Sequence, residues 1–205
     1  MKIKMCGLRR FLDIEYANIC MPDYVGFIFA DSKRKVEVDT AKILIEKLNK
    51  NIQSVGVFVN EPLDTLKNII EKTDIDIIQL HGDETKEYIE EVRSFTKKEI
   101  WKAFRVEEKR QIEEANQYNV HKYLFDSFSK EAYGGTGKRL NLELFNGVKL
   151  EKPFFLAGGF TVEQINEELK KTKSYGVDIS SGIETDGWKD LNKMKQVMEQ
   201  IRRIS

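Results

Sequence analysis

The sequence predicts a single-domain (β/α)8 TIM barrel, and two features of the chain support this prediction. Eight short apolar, β-rich runs recur along the 205 residues, and segments with helical periodicity separate them. Such alternation is typical of a parallel sheet built from right-handed βαβ units. An open, doubly wound sheet is the alternative. The count of eight strands and the lack of a Gly-x-Gly-x-x-Gly turn after the first strand favour the closed barrel.

The individual elements follow from the periodicity of apolar residues. The predicted strands are Ile3–Cys6, Val25–Phe29, Ser54–Val59, Ile77–Leu80, Ile100–Phe104, Lys122–Phe125, Phe154–Ala157 and Gly176–Ile179. Helical stripes lie between them, with apolar residues three and four positions apart. The clearest stripes are Ala41/Leu44/Ile45/Leu48, Leu63/Leu66/Ile70 (after Pro62), Tyr88/Val92/Phe95 and Leu191/Met194/Met198/Ile201. No Pro/Gly/Ser-rich linker interrupts this order, so residues 1–205 are expected to form one catalytic domain.

The composition excludes several classes of partner. Lys and Arg together number 34, as do Asp and Glu, so the chain lacks the basic excess that binding of a nucleic-acid backbone requires. The longest apolar run, Tyr24–Ala30, is far below the roughly 20 residues of a membrane span. Charged residues from Arg9 to Glu15 interrupt any signal-peptide core. The expectation is a cytoplasmic monomer that acts on a small molecule.

Candidate functional residues lie where a barrel enzyme carries its site, at the carboxyl ends of the strands. These residues are Cys6, His81, Asp126, Gly158 and Asp178. Side chains alternate along a strand, so Cys6 and Lys4 share one face, as do Gln79 and His81. If Cys6 faces the barrel axis, Lys4 lies buried beneath it and needs a partner. Asp178 on the neighbouring last strand is the candidate partner.

Three candidate side chains, Cys6, Asp126 and Arg34, have both a functional and a structural interpretation. Cys6 acts as a base or nucleophile only as the thiolate, and a buried structural thiol is the alternative. Asp126 is either an acid–base group or a turn-capping carboxylate. Arg34, in a short basic run, is either a solvated side chain or a two-point grip on a substrate carboxylate.

Two glycine-rich turns predict a phosphate site. Gly158-Gly159 follows the seventh strand and Ser180-Ser181-Gly182 follows the eighth. Barrels often bind phosphate between these two loops, because glycine permits close approach of backbone N–H groups and serine adds a hydroxyl donor. A polar, glycine-rich connection from Ser127 to about Asn141 is predicted to be a mobile lid.

No cofactor or metal is expected. The chain has only two histidines, no His-x-x-x-His and no Cys-x-x-Cys. The two cysteines, Cys6 and Cys20, are expected to stay free in a reducing compartment.

In combination, these segments resemble the phosphoribosylanthranilate isomerase family of tryptophan biosynthesis. The matching motifs span almost the whole chain and are Lys4-Met5-Cys6-Gly7-Leu8, Ser32-Lys33-Arg34, Gln79-Leu80-His81-Gly82-Asp83-Glu84, Asp126 with Gly134-Gly135-Thr136-Gly137-Lys138, Ala157-Gly158-Gly159, and Val177-Asp178-Ile179-Ser180-Ser181-Gly182-Ile183-Glu184. The resemblance implies a cofactor-free Amadori rearrangement of N-(5'-phosphoribosyl)anthranilate to 1-(2-carboxyphenylamino)-1-deoxyribulose 5-phosphate.

The resemblance also implies a role for each matched residue. Asp126 would be the general acid and Cys6 the general base. Arg34 would bind the anthranilate carboxylate, and Gln79, His81 and Asp178 would orient or hydrogen-bond the substrate. The phosphate turns would be formed by Gly158, Gly159, Ser180, Ser181 and Gly182.

Two other functions remain open at the level of sequence. The related histidine-pathway isomerase has similar chemistry, but that family uses an aspartate at the end of the first strand, where this chain has Cys6. A barrel that only binds a phosphorylated metabolite would need the glycine turns but neither Cys6 nor Asp126. The presence of both argues against it.

Overall fold

The computed structural model describes residues 1–127, 140–160, 169 and 172–204, and residues 128–139 of the predicted lid (Ser127 to about Asn141) lie outside this part. Eight parallel strands form a closed barrel in sequence order. The strands are β1 Lys2–Cys6, β2 Tyr24–Ile28, β3 Gln53–Phe58, β4 Ile77–Leu80, β5 Glu99–Val106, β6 Lys122–Ser127, β7 Phe154–Leu156 and β8 Gly176–Ile179. The prediction of a (β/α)8 barrel is confirmed, and each predicted strand end lies within about two residues of the observed one.

Helices follow the strands on the outside of the barrel. The described helices are α1 Phe11–Cys20, α2 Val38–Glu46, α3 Leu63–Thr73, α4 Lys86–Phe95, α5 Lys109–Glu114 and α6 Leu191–Ile204. The predicted stripes form their buried faces: Ala41 and Leu44 are buried on α2, and Leu66 and Ile70 on α3. Helix α3 begins directly after Pro62, whose restricted φ suits a helix start. None of the described helices is long and apolar enough to span a lipid bilayer.

The barrel closes between its first and last strands. Strand β1 pairs with β2 on one side and with β8 on the other, and Lys4 and Asp178 are register partners across the closing pair. Ile3 and Met5 belong to the apolar layer between the strands and the helices. Lys4 and Cys6 alternate with them and therefore face the barrel axis, as strand parity predicts.

Aromatic side chains fill the lower interior of the barrel. Tyr24, Trp101 and Phe155 pack with ring centroids 4.7–5.6 Å apart, in edge-on and stacked arrangements. These contacts and the apolar residues around them form a second, interior core. Because that core plugs the lower part of the barrel, a ligand can enter the barrel interior from the carboxyl ends of the strands.

The hairpin after β8 is not predicted from the sequence. After β8, a 3₁₀ turn (Ser181–Ile183) leads into a short antiparallel hairpin of β9 Glu184–Thr185 and β10 Trp188–Lys189. Asp186 and Gly187 form its turn, both with positive φ of 52° and 78°. An Asp-Gly pair is the usual sequence of such two-residue turns. This dipeptide is therefore the signal from which the hairpin could have been found.

A buried ion pair joins β5 to the loop after β4. The Lys102 ammonium donates to Glu84 at 3.0 Å and to the carbonyl oxygens of Gly82 and Ala103 at 2.8 and 3.0 Å. Glu84 in turn accepts the backbone N–H groups of Gly82 and Asn60. Burial lowers the pKa of Lys102, and Glu84 opposes that change. The pair fixes the loop that begins at His81.

We expect Lys102→Ala to lower the free energy of unfolding by about 3–5 kcal/mol, because it leaves the Glu84 carboxylate buried without its cation. Lys98→Ala is the matched control, since Lys98 and Asp74 are also 3.0 Å apart but the Asp74 side chain is 93% exposed. The control should cost less than about 1 kcal/mol. Urea unfolding followed by circular dichroism measures both. Equal losses would contradict a structural role for the buried pair.

Candidate active site

A cavity of about 740 Å³ opens at the carboxyl ends of the strands. It is large enough for a substrate of drug-like size. The predicted site residues that line it are Cys6, Arg34, His81, Asp126, Gly158, Gly159, Asp178, Ser180 and Ser181. Gln79 and Gly182 do not line it: Gln79 is buried below His81, and Gly182 lies inside the 3₁₀ turn. The fold thus brings together most of the residues that the sequence singles out.

The thiol of Cys6 lies above a buried cation. Lys4 is fully buried, and its Nζ donates to Asp178 Oδ2 at 2.8 Å, which confirms the predicted pairing. A Cβ atom on Gly26 of β2 would lie 2.6 Å from Cys6 Sγ and 3.2 Å from Lys4 Nζ. Glycine is therefore the residue that permits the thiol and the ammonium group to occupy this space.

The charges around Cys6 act on its pKa in opposite directions. Burial raises the pKa of the thiol, and the carboxylate of Asp178 raises it further. Lys4 lowers it through its charge and a hydrogen bond, and Lys189 also lowers it. The net pKa of Cys6 is raised. Burial alone would lower the pKa of Lys4, but Asp178 and Cys6 outweigh burial, so Lys4 remains an ammonium group.

Asp126 ends β6 on the other side of the cavity. Its Oδ1 accepts the backbone N–H of Ser127 at 2.8 Å. Gly158 has a φ of +93°, and a Cβ there would lie 2.9 Å from Asp126 Oδ1 and 2.7 Å from Ser127 Oγ. Both the positive φ and the close approach require glycine. Gly158 therefore has a packing role beside Asp126 in addition to its place in the predicted phosphate turn.

His81 connects Asp126 to the interior of the barrel. Gln79 Nε2 lies 2.9 Å from His81 Nδ1, and His81 Nε2 lies 3.4 Å from Asp126 Oδ2. The second contact is an electrostatic approach that does not meet hydrogen-bond geometry, so His81 Nε2 has no hydrogen-bond partner among the described residues. The same holds for Gln79 Oε1 and Asp178 Oδ1. Buried polar atoms in folded proteins are usually paired, so such atoms at a cavity wall suit a polar ligand.

Arg34 is buried in an ion pair, in contrast to the solvated alternative. Its Nε and Nη2 donate to the two carboxylate oxygens of Glu184, each at 2.7 Å. The pairing with Glu184 raises the pKa of Arg34. Because Glu184 uses the Nε/Nη2 edge, the edge formed by Nη1 and Nη2 is the one that a substrate carboxylate would approach.

Lys189 completes this charged group. Its ammonium donates to Glu184 Oε1 at 2.7 Å and to the carbonyl oxygen of Ser180 at 3.0 Å. Burial alone would raise the pKa of Glu184. The hydrogen bonds and charges of Arg34 and Lys189 outweigh burial, so the pKa of Glu184 is lowered. Burial lowers the pKa of Lys189. The sequence does not predict a role for Glu184 or Lys189. The local signals are the place of Glu184 at the end of the last matched motif and the Asp-Gly turn that follows it.

The two predicted phosphate turns lie on one wall of the cavity. Gly159 has a φ of +70° and follows Gly158, and Ser180 and Ser181 follow β8. Ser180 Oγ donates to the carbonyl oxygen of Cys6 at 3.0 Å. This bond ties the turn after β8 to the end of β1.

Three further predictions concern the second histidine, the two cysteines and a bound metal. His121, at the start of β6, accepts the Ile100 N–H through Nδ1 at 2.9 Å, at the end of the barrel opposite the cavity. Cys6 and Cys20 are both free thiols. Within the described ranges, no group of three or more His, Cys, Asp or Glu side chains is arranged to hold a metal ion.

Comparison with known proteins identifies the family. The family model for N-(5'-phosphoribosyl)anthranilate isomerase matches residues 3–200. The N-(5'-phosphoribosyl)anthranilate isomerase of Thermoanaerobacter sp. (strain X514) is 47% identical over 203 residues, which cover 99% of this chain and 98% of the relative.

Two solved structures extend the similarity to the fold. Monomers generated from the dimeric phosphoribosylanthranilate isomerase of Thermotoga maritima are 26% identical, with a TM-score of 0.84 over 99% of both chains. A phosphoribosylanthranilate isomerase in complex with reduced 1-(o-carboxyphenylamino)-1-deoxyribulose 5-phosphate is 25% identical, with a TM-score of 0.82 over 99% of both chains. The family predicted from the sequence motifs is confirmed: this chain belongs to the N-(5'-phosphoribosyl)anthranilate isomerase family.

Proposed function

We propose that this isomerase converts N-(5'-phosphoribosyl)anthranilate to 1-(2-carboxyphenylamino)-1-deoxyribulose 5-phosphate with Cys6 as general base and Asp126 as general acid. Family membership makes the chain an enzyme of tryptophan biosynthesis that catalyses an Amadori rearrangement. One observation carries the assignment of roles. Cys6 and Asp126 both line a single cavity whose rim also carries Arg34 and the Ser180 turn.

The substrate has an anion at each end, and the cavity offers a binding element for each. We assign the carboxylate to Arg34, whose Nη1/Nη2 edge is not engaged by Glu184. We assign the phosphate to the turns at Gly158-Gly159 and Ser180-Ser181-Gly182, where backbone N–H groups and the hydroxyl of Ser181 can donate, since the Ser180 hydroxyl already donates to the Cys6 carbonyl oxygen. With both ends held, the ribose lies between Cys6 and Asp126, so the reacting atoms are positioned before reaction.

The first step is opening of the ribose ring. Asp126, in its protonated form, gives its proton to the ring oxygen, and the C1–O bond breaks as the anthranilate nitrogen forms a Schiff base with C1. The N–H of Ser127 holds the carboxyl group in place, and His81 Nε2 lies 3.4 Å from its other oxygen. His81 and Asp178, which line the cavity, retain buried polar atoms that can hydrogen-bond the hydroxyl groups of the opened sugar, and Gln79 contacts His81 Nδ1 from below.

The second step is proton abstraction by Cys6. The thiolate removes the proton from C2, and the electron pair forms the enolamine, which tautomerises to the ketone. Because burial raises the pKa of Cys6, the thiolate depends on nearby cations, and Lys4 is the cation at the base of the thiol. Each proton transfer by a positioned group contributes roughly 10²–10⁴-fold to the rate.

Three broader proposals accompany this mechanism. Residues 1–205 act as one domain, because the barrel runs from β1 to β8 and α6 packs on α1. The enzyme is a monomer, as suits a surface rich in charge, since 33% of its residues are Asp, Glu, Lys or Arg. It works in the cytoplasm, where free buried thiols such as Cys6 and Cys20 are typical. A single cooperative unfolding transition would support the first proposal, sedimentation tests the second, and cell fractionation tests the third.

The reaction and its base are tested by fluorescence-monitored turnover of freshly prepared phosphoribosylanthranilate in the presence of a chelator. Wild-type protein should consume it, and Cys6→Ser should lower kcat by about 10²-fold or more because the hydroxyl is a much weaker base. Cys20→Ser, the matched control on α1, should keep near-normal turnover. Normal turnover by Cys6→Ser would remove Cys6 from its role, and no turnover by the wild type would overturn the reaction itself.

Asp126→Asn should also lower kcat by about 10²-fold or more, because the amide keeps the shape of the side chain but cannot give up a proton as an acid does. The variant should stay folded, as judged by its thermal unfolding. A kcat close to that of the wild type would show that another group protonates the ring oxygen.

Arg34→Ala should weaken binding of the substrate and of the product more than binding of inorganic phosphate, because only the first two contain a carboxylate. We expect the loss for the carboxylate ligands to be about tenfold or more, as for removal of a charge-assisted hydrogen bond. Calorimetric titration measures both affinities. Equal losses would show that Arg34 is not the carboxylate-binding residue.

The role of Lys4 is tested by alkylation of Cys6 with iodoacetamide across a pH series, in a Cys20→Ser background. The reactive thiolate of the wild type should appear above the ordinary thiol pKa of about 8.5. Lys4→Met removes a cation and should move the curve to higher pH, whereas Asp178→Asn removes an anion and should move it to lower pH. Shifts in the same direction would contradict an electrostatic role for the pair.

A further inference from the structure

The Arg34–Glu184–Lys189 group connects the two places assigned to the ends of the substrate. From Arg34 two hydrogen bonds of 2.7 Å lead to Glu184, and from Glu184 one hydrogen bond of 2.7 Å leads to Lys189. From Lys189 a hydrogen bond of 3.0 Å leads to the carbonyl oxygen of Ser180. These contacts form a continuous path from the carboxylate-binding arginine to the phosphate turn, and the mechanism uses neither Glu184 nor Lys189.

The three charged side chains of the path are shielded from water. The side chains of Arg34, Glu184 and Lys189 are 9%, 7% and 1% exposed. Ion pairs that are shielded from water in this way hold their partners more firmly than surface pairs, which contribute little. The two-point contact with Glu184 also fixes the plane of the guanidinium group, because the two donors and two acceptors lie in one fork. Only one edge of Arg34 can then face the cavity.

The hairpin that carries Glu184 and Lys189 is itself tied to the loop of Arg34. Arg9 donates through Nη2 to the carbonyl oxygen of Gly187 at 3.1 Å and through Nη1 to that of Lys33. Trp188 packs against the guanidinium groups of Arg9 and Arg10 at 4.1 and 4.2 Å. The position of the hairpin therefore depends on the start of α1 as well as on β8.

We propose that Glu184 and Lys189 are positioning residues that hold Arg34 and the Ser180 turn at a fixed separation, and thereby make the enzyme selective for ligands that present a carboxylate and a phosphate together. This inference rests on the proposed function, in particular on Arg34 as the carboxylate-binding residue. Glu184 orients the arginine. Lys189 neutralises Glu184 and anchors that carboxylate to the phosphate turn. Neither side chain needs to touch the reacting atoms.

The first test uses Glu184→Gln, which keeps the size of the side chain and removes its charge. KM for phosphoribosylanthranilate should rise about tenfold or more, because Arg34 is no longer held in a single orientation. The value of kcat should change by no more than about threefold, since Cys6 and Asp126 remain in place. The Kd for inorganic phosphate should stay within about twofold of the wild-type value, because the Lys189 contact with Ser180 is retained.

Lys189→Met should behave differently. It breaks the contact with the Ser180 turn as well as the contact with Glu184, so both KM for the substrate and Kd for inorganic phosphate should rise. The matched control for the first variant is Glu99→Gln, a paired carboxylate at the opposite end of the barrel, where it contacts Lys122. That control should change neither quantity.

A double variant separates positioning from simple loss of structure. In an Arg34→Ala background, Glu184→Gln should have no further effect on KM, because Glu184 acts through Arg34. Additive effects on KM, or an unchanged KM in Glu184→Gln alone, would overturn the inference. If Glu184→Gln fails to fold, Glu184→Asp replaces it, since the shorter side chain keeps the charge but withdraws the carboxylate, and it should also raise KM.

Failure of the inference and failure of the proposed function give different results. A wild-type protein that does not turn over phosphoribosylanthranilate would overturn the function. A wild-type protein that turns it over, together with an Arg34→Ala variant of normal KM, would overturn the assignment of Arg34 and the inference with it. Normal turnover and a high KM in Arg34→Ala, but a normal KM in Glu184→Gln, would overturn the inference alone.

Discussion

The pairing of β1 with β8 is the constraint on which the site depends. It closes the barrel and places Lys4 opposite Asp178, so the buried ammonium meets its carboxylate only in this register. A shift of one residue would turn Lys4 and Cys6 outward toward the helices and bring Ile3 and Met5 to the axis. An unpaired buried charge costs several kcal/mol, so the register that satisfies Lys4 is also the register that presents the thiol to the cavity.

Two buried Lys–carboxylate pairs, one structural and one at the site, differ in how completely their polar atoms are hydrogen-bonded. Lys102 has three oxygen partners, and Glu84 also accepts backbone N–H groups, so that pair is fully hydrogen-bonded. Asp178 keeps one buried oxygen without a partner among the described residues, although its other oxygen binds Lys4. Leaving a polar atom unpaired lowers stability. Its location in the cavity wall explains why the fold retains that cost.

Much of this arrangement is predictable from the sequence, and the exceptions have a common cause. Strand ends converge in any closed parallel barrel, so Cys6, His81, Asp126 and Asp178 could be placed at one site from position alone. The contact of Arg34 with Glu184 joins residues 150 positions apart and depends on the path of two loops, which local periodicity does not encode. The role of Gly26 is similar. A glycine within a strand indicates a close approach, but only the fold identifies the thiol and the ammonium as the groups that approach.

The pairing of Arg34 with an acidic residue has a physical consequence for ligand selection. A free arginine beside the phosphate turn would attract any anion, including the phosphate itself, into the wrong half of the cavity. Glu184 occupies the Nε/Nη2 edge of that arginine, so the group, whose net charge with Lys189 is about +1, presents a single oriented edge to an anion. A planar carboxylate fits that edge through paired N–H donors, whereas a tetrahedral phosphate is better served by the backbone N–H groups of the glycine turns. The carboxylate and the phosphate are thus distinguished by geometry, which fixes the direction in which the sugar lies between Cys6 and Asp126.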